Sequence, residues 1–326
     1  MMKKVIAIVL VCVLAATALS ACGGSNDTAP ANSPANSPAN SPANSPANSP
    51  VVAAAAPAPA ESAAPAAAPA DDFDTSRVIA VFTREEGSGT RDAFVSITGV
   101  GEDMYQEAVV ISETNEILTK VEETDYAIGY VSVGSLNPGV KALSINGVLP
   151  SDATILDGSY ELQRPFLVCV NSGSSQNELA QDFITYILST EGQAIVGTKW
   201  TNPEGAVSHY EGGGMTGTLK VGGSTSVEPL MQSLRQAYLA LNPGAEIEIS
   251  GGGSGVGISE ATSGVLDIGM SSRALRDNER EALTGFVIAL DGVAVIVNPA
   301  NPLNNITIEQ VKEVFTGEIT RWSAIG

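Results

Sequence analysis

The chain has 326 residues, 44% of them hydrophobic and 16% charged, with a formal net charge of −20. That length suffices for two domains or lobes of ordinary size. The acidic balance argues against a nucleic-acid partner, which needs a basic face, and against docking on an anionic membrane by charge alone; a bound anion must be held by local groups against the field of the whole molecule.

The first element is an export signal over residues 1–21. Lys3 and Lys4 form a basic start, and Val5 to Leu19 is an apolar run that is short for a membrane span. Leu19-Ser20-Ala21-Cys22 resembles a bacterial lipobox, in which cleavage leaves Cys22 at the new N-terminus carrying lipid. Cleavage also removes Cys12, so Cys169 stands alone and no intramolecular disulfide framework is available. Cys169 lies in the apolar run Phe166 to Val170 and reads as a small buried hydrophobe.

Residues 22–76 then read as the lipidated cysteine and a disordered Ala/Asn/Ser/Pro linker. Ala31 to Pro50 is five copies of Ala-Asn-Ser-Pro, followed by Ala/Pro-rich sequence to Ala70. Proline at that density blocks helix and sheet, and a polyproline stretch rising ~3.1 Å per residue gives a reach on the order of 100 Å.

From Asp74 onward, strand and helix patterns alternate. Strands are predicted over 78–82, 127–131, 162–171, 219–222, 245–249, 266–269 and 287–297. Helices are predicted over 89–96, 114–123, 175–189, 254–262 and 277–283. Val227, Leu230, Met231, Leu234, Tyr238 and Leu241 mark one more, amphipathic helix, and Thr307-Ile308-Glu309-Gln310 reads as a capping box. Such alternation predicts an α/β fold with mainly parallel sheets flanked by helices.

Three segments share one design, a strand followed by a glycine- and hydroxyl-rich turn and then a helix. They are Gly222-Gly223-Ser224-Thr225-Ser226, Gly251-Gly252-Gly253-Ser254-Gly255 and Glu86-Gly87-Ser88-Gly89-Thr90. Free N–H groups and the helix dipole favour an anion at each helix start, and glycine lets backbone approach a ligand. Taken singly, Ser or Thr at such a junction is most often an N-cap; three in one chain point to turns gathered at the carboxyl ends of an open sheet. Arg84 precedes the third turn and can fork two N–H groups onto a tetrahedral oxyanion, or pair with Glu85 or Glu86. Asp267 suits a ligand that carries a proton. An ionised carboxylate accepts a hydrogen bond from monohydrogen phosphate and repels sulfate, or else it caps the Ser271-Ser272 turn.

These segments, with Asp267 to Arg273, Arg84 to Arg91, Asp291 to Asn298 and Phe315 to Ile319 with Trp322, resemble the phosphate-binding protein of the Pst-type ABC transporter, the PstS family. The resemblance covers about residues 77–326. It implies a two-lobed periplasmic-binding-protein-like fold (type II) with two hinge crossovers, capture of inorganic phosphate in the cleft, and delivery to the permease subunits of an importer outside the cytoplasm. Membrane attachment is then through the lipid on Cys22. Carried over by motif, the phosphate contacts fall on Thr225, Ser226, Ser254, Asp267, Arg84, Ser88, Gly89 and Thr90.

The segment order departs from the family, in which the Arg84 to Thr90 segment follows Trp322. The chain therefore reads as circularly permuted, with residues 77–164 and 298–326 forming one lobe and 165–297 the other. No cofactor, metal or catalytic residue is implied, since His209 is the single histidine and Ser88 has no evident general base. A binder of another oxyanion, such as sulfate or molybdate, is the alternative, as is a phosphate sensor or surface protein that does not transport.

Overall fold

The computed structural model describes residues 73–173, 177–203 and 208–325. The export signal, Cys22 and nearly all of the linker lie outside the described residues. The tail end of the linker segment is described and packs: the Phe73 ring sits 4.9 Å from that of Tyr126 and 6.0 Å from that of Trp322.

In chain order the elements are β1 (Ala80–Arg84), α1 (Gly89–Thr98), β2 (Val109–Ile111), α2 (Thr114–Glu122), β3 (Ala127–Ser132), β4 (Lys141–Ala142), β5 (Ser144–Ile145) and α3 (Asp152–Leu156). There follow β6 (Gln163–Asn171), α4 (Glu178–Ile187), α5 (Thr190–Val196), β7 (Thr216–Gly223), α6 (Glu228–Leu241), β8 (Gly244–Ser250) and α7 (Ser254–Ser263). The last are β9 (Ile268–Ser271), α8 (Asp277–Arg280), β10 (Leu283–Val297), β11 (Asn305–Ile306) and α9 (Ile308–Thr316).

The fold is α/β, but the sheet is mixed rather than mainly parallel. Its strands run β2-β1-β3-β10-β6-β9-β7-β8, with β4 paired to β10. β1 pairs β2 and β3 in parallel, as β7 pairs β8 and β9. Between these two parallel triplets lie β6 and β10, antiparallel to each other and to β9 and β3 respectively. In each triplet the parallel strands are joined through helices, and β6 and β10 carry the chain between the two.

Each triplet has its own core. α4, α5 and α6 bury Phe183, Ile187, Leu230, Met231, Leu234 and Tyr238 against β6 to β9. On α6 these apolar positions recur at helical spacing, and Pro229 in the first turn is placed where its missing N–H costs nothing. The other triplet packs Phe94 of α1 and Phe315 of α9 on Tyr130 of β3, with Phe94 stacked on Tyr130 at 4.0 Å. Burying one such ring contributes about 1.5–3 kcal/mol. The Thr307 capping box opens α9 as the sequence predicts, and Gly317 closes it at φ 82°.

β10 serves both cores: Ile288 and Ala289 belong to one, Val293, Val295 and Val297 to the other. Cys169 is fully buried on β6, and burial pushes its thiol up to about 12. Among the described residues no helix is long and apolar enough to cross a membrane.

Candidate anion-binding site

The turns after β1, β7, β8 and β9 meet where the two halves of the sheet face each other. β1 ends on Arg84, two residues later than sequence periodicity suggests, so Arg84 leaves the strand already buried (2% exposed). Its backbone N–H donates to the Tyr130 hydroxyl, which ties it to the aromatic stack below. The guanidinium donates to five residues, one of them Ile111, whose carbonyl accepts from Nε at 3.1 Å. Nε and Nη2 donate to Glu85, at 2.9 and 3.1 Å, and Nη2 also to the carbonyl of Ser112. Nη1 reaches Thr114 Oγ1 at 3.2 Å, and Nη2 reaches Thr225 Oγ1 at 3.0 Å. Glu85, not Glu86, orients the arginine.

Thr225 belongs to the opposite half. A second bond across the seam joins Thr90 Oγ1 to Ser226 Oγ at 2.9 Å, and Thr114 Oγ1 lies 3.3 Å from Ser226 Oγ. A third is backbone to backbone, from Gly255 N–H to the Gly87 carbonyl at 2.9 Å. Ser254 is fully buried; its Oγ accepts from the Ser272 N–H and sits 3.3 Å from the Ser272 hydroxyl. A Cβ on Gly89 would fall 2.2 Å from Ser254 Oγ and 2.7 Å from Ser272 Oγ, so Gly89 lies directly against both serines.

Helices α1, α2, α6 and α7 all begin at this cluster, and N-terminal N–H groups together with four helix dipoles favour an anion there. Only one of the predicted site hydroxyls is spent on capping: Ser88 Oγ accepts from the Arg91 N–H at the start of α1. Thr225 and Ser254 cap nothing, and their hydroxyls turn inward.

On the flank of the cluster a cleft of about 470 Å³ is lined by Thr114 and Thr225, with Glu113 and Glu228 beside them. Burial pushes the Glu113 carboxyl above its ordinary value, opposed by Arg84 and assisted by Glu228 and Glu85. On the far side Asp92 of one half takes 2.8 Å bonds from both Arg273 and Arg276 of the other. Among the described residues no group of three or more His, Cys, Asp or Glu is placed to hold a metal. His209 is largely exposed and bonded to Glu191.

A sequence model of the PBP superfamily domain matches residues 71–191 and 208–326. The phosphate-binding protein PstS 2 of Streptococcus pneumoniae serotype 4 is 41% identical over 259 residues, 77% of this chain and 88% of that one. The chain belongs to the PstS family. PstS 2 of Streptococcus agalactiae serotype V is 40% identical over 255 residues, 75% of this chain and 87% of the relative. The crystal structure of the phosphate-binding protein of a phosphate ABC transporter from S. pneumoniae TIGR4 superposes with a TM-score of 0.64 at 40% identity, over 77% of this chain and 100% of that one.

In this PstS-family chain, seven of the eight positions singled out from sequence come together: Arg84, Ser88, Gly89, Thr90, Thr225, Ser226 and Ser254. Asp267 does not. It precedes β9, where it accepts from the Lys220 N–H at 2.8 Å and from Asn177 at 3.4 Å. The cluster lies at the other end of that strand, five residues and about 16 Å further on. The residue that the segment delivers there is Ser272. Sequence reasoning also missed Thr114, which opens α2, and Arg164, considered below.

Asp267→Asn should therefore leave ligand affinity and the response to sulfate within about 2-fold of the parent, because the side chain pairs two neighbouring segments and not the anion. Ser272→Ala should weaken binding about 10-fold, the scale of one lost hydrogen bond to a charged group. Competition titrations of the two variants side by side check both.

Proposed function

We propose that this chain captures inorganic phosphate between its two halves outside the cytoplasm and delivers it to the permease subunits of an ABC importer. In this reading it is tethered to the membrane by lipid on Cys22 and turns over no substrate. The observation that carries the reading is the reach of Arg84, buried in one half, to Thr225 of the other at 3.0 Å within a shell of hydroxyls. Such a shell offers a tetrahedral oxyanion donors on every side, and closure of the halves removes it from water. The streptococcal relatives are phosphate-binding proteins, one of them of a phosphate ABC transporter, which supports the ligand and the partner.

The contacts are Arg84, Thr90, Thr225, Ser226, Ser254 and Ser272, with Ser88 and Gly89 shaping the backbone around them. Charge-assisted bonds are worth ~1.5–3 kcal/mol each. Several, less the ordering cost, reach the ~8 kcal/mol that a micromolar dissociation constant requires.

The segment order is, in the same reading, a circular permutation. Adjacency supports it: Ile79 N–H donates to the Thr320 carbonyl at 2.9 Å and Ser323 N–H to that of Thr75 at 2.7 Å. A chain running directly from the 320s into β1 thus needs only a short turn.

Calorimetric titration of the purified chain with phosphate, arsenate and sulfate tests the function. One saturable phosphate site of micromolar or tighter affinity, with arsenate competing, is the expected result. Heat from sulfate but none from phosphate replaces the reading with that of another oxyanion binder, and release of phosphate from an ester overturns the binder assignment altogether.

A further inference from the structure

The cluster has one more buried cation, on a strand that runs between the halves. Arg164 of β6 and Asp291 of β10 are direct cross-strand partners in the antiparallel pair, and their side chains are 2% and 1% exposed. Nε and Nη2 of Arg164 both donate to Asp291 Oδ2, at 3.0 and 2.9 Å. Asp291 Oδ1 accepts from the Ser132 hydroxyl at 2.8 Å and from the Gly134 N–H at 3.4 Å. Burial pushes the Asp291 carboxyl above its ordinary value, opposed by the Arg164 guanidinium beside it and by the bonds from Ser132 and Gly134.

A fully buried ion pair is seldom a net gain in stability over apolar side chains of the same volume. This one leaves a guanidinium edge unused by the carboxylate, and that edge points at the site: Nη1 donates to Thr90 Oγ1 at 2.7 Å. A hydroxyl has one hydrogen and two lone pairs. With a lone pair of Thr90 taken by a cation, its own hydrogen is directed away from Arg164 and into the cluster, where Ser226 Oγ lies 2.9 Å away. Bonds in such a chain polarise one another, so the Thr90 O–H becomes a stronger donor.

Resting on the phosphate reading above, we infer that Arg164 is a positioning residue that acts through Thr90: anchored by Asp291 across the two connecting strands, it fixes the Thr90 hydroxyl as a donor to the anion. The connecting strands thereby contribute to affinity although neither presents a residue to the ligand.

The test is a double-mutant cycle read by calorimetric phosphate titration, with thermal unfolding of each ligand-free variant alongside. Removing Arg164 alone strands a buried carboxylate, so the pair is replaced together as Arg164→Met/Asp291→Leu, with and without Thr90→Val. The pair replacement should weaken phosphate binding about 10-fold or more in the parent, the scale of one bond to a charged group. In the Thr90→Val background the same replacement should cost less than about 3-fold. Arg164→Lys, which keeps a charge near Thr90, should recover part of the loss. Equal losses in both backgrounds mean that Arg164 acts on the fold at large or touches the ligand itself, and overturn the inference. A parent chain that takes up no phosphate removes the functional reading first and this inference with it.

Discussion

Replacing Arg84 by Gln should abolish measurable phosphate uptake, lowering affinity by at least ~10²-fold. Arg84 supplies a guanidinium whose two terminal nitrogens both face the hydroxyl cluster, at Thr114 and Thr225. An oxyanion seated there gains two charge-assisted bonds from it, each worth ~1.5–3 kcal/mol, and every ~1.4 kcal/mol is tenfold. Lysine keeps the charge but not the fork, so Arg84→Lys should fall between the parent and the Gln variant. Arg84 also satisfies Glu85 and the carbonyls of Ile111 and Ser112, so some melting temperature will be lost. Ligand titration at a temperature where both variants remain folded separates the two effects. An Arg84→Gln protein that binds phosphate within about 3-fold of the parent removes Arg84 from the site.

Gly89→Ala should cost as much by a different route. A single methyl there meets Ser254 Oγ at 2.2 Å and the Ser254 Cβ at 2.8 Å, distances no side-chain contact sustains. Both atoms belong to the opposite half. The clash therefore arises when the halves meet, while each half retains its own core, and the added residue suits the first turn of α1. The variant should melt near the parent temperature, bind phosphate ~10²-fold or more weakly, and show no compaction on adding phosphate by small-angle scattering. Compaction equal to the parent's overturns the steric account. The neighbouring Gly255 is a milder case, since its Cβ would lie 3.3 Å from Gly87, a distance a small shift can relieve.

The cluster of turns was legible in the sequence where its chemistry is local. A strand, a small-residue turn and a helix start occur within a few residues, and that is how Thr225, Ser254 and the Gly87 to Thr90 turn declare themselves. It was misread where strand polarity decides. The segment Asp267 to Arg273 contributes one end to the cluster, and its carboxylate drew attention to the other end; that β9 runs parallel to β7 puts Ser272, not Asp267, beside the turn after β7. Arg164 was invisible for another reason. It stands just before the apolar run of β6, and its sense appears only with Asp291, 127 positions away in the chain, as its cross-strand neighbour.

The same distinction runs through the fold. β6, β10 and the helices α6 and α9 carry enough periodicity or capping chemistry to be read directly. β2, β4, β5 and β11 are two or three residues long, too short for any alternation, and are fixed by what they lie against. The alternation of strands and helices suggested mainly parallel pairing, but pattern alone does not reveal that a strand returns between two parallel sets, as β6 and β10 do.

β10 runs for fifteen residues without interruption of its backbone pairing except one register shift between Val287 and Ala289. Because neighbouring side chains on a strand face opposite ways, a slip of a single position would expose what two separate interiors need, and would swing Asp291 off Arg164 in the same stroke. An error in this segment is thus paid twice. Mutational drift should accordingly be narrowest along β10 and widest in the surface turns.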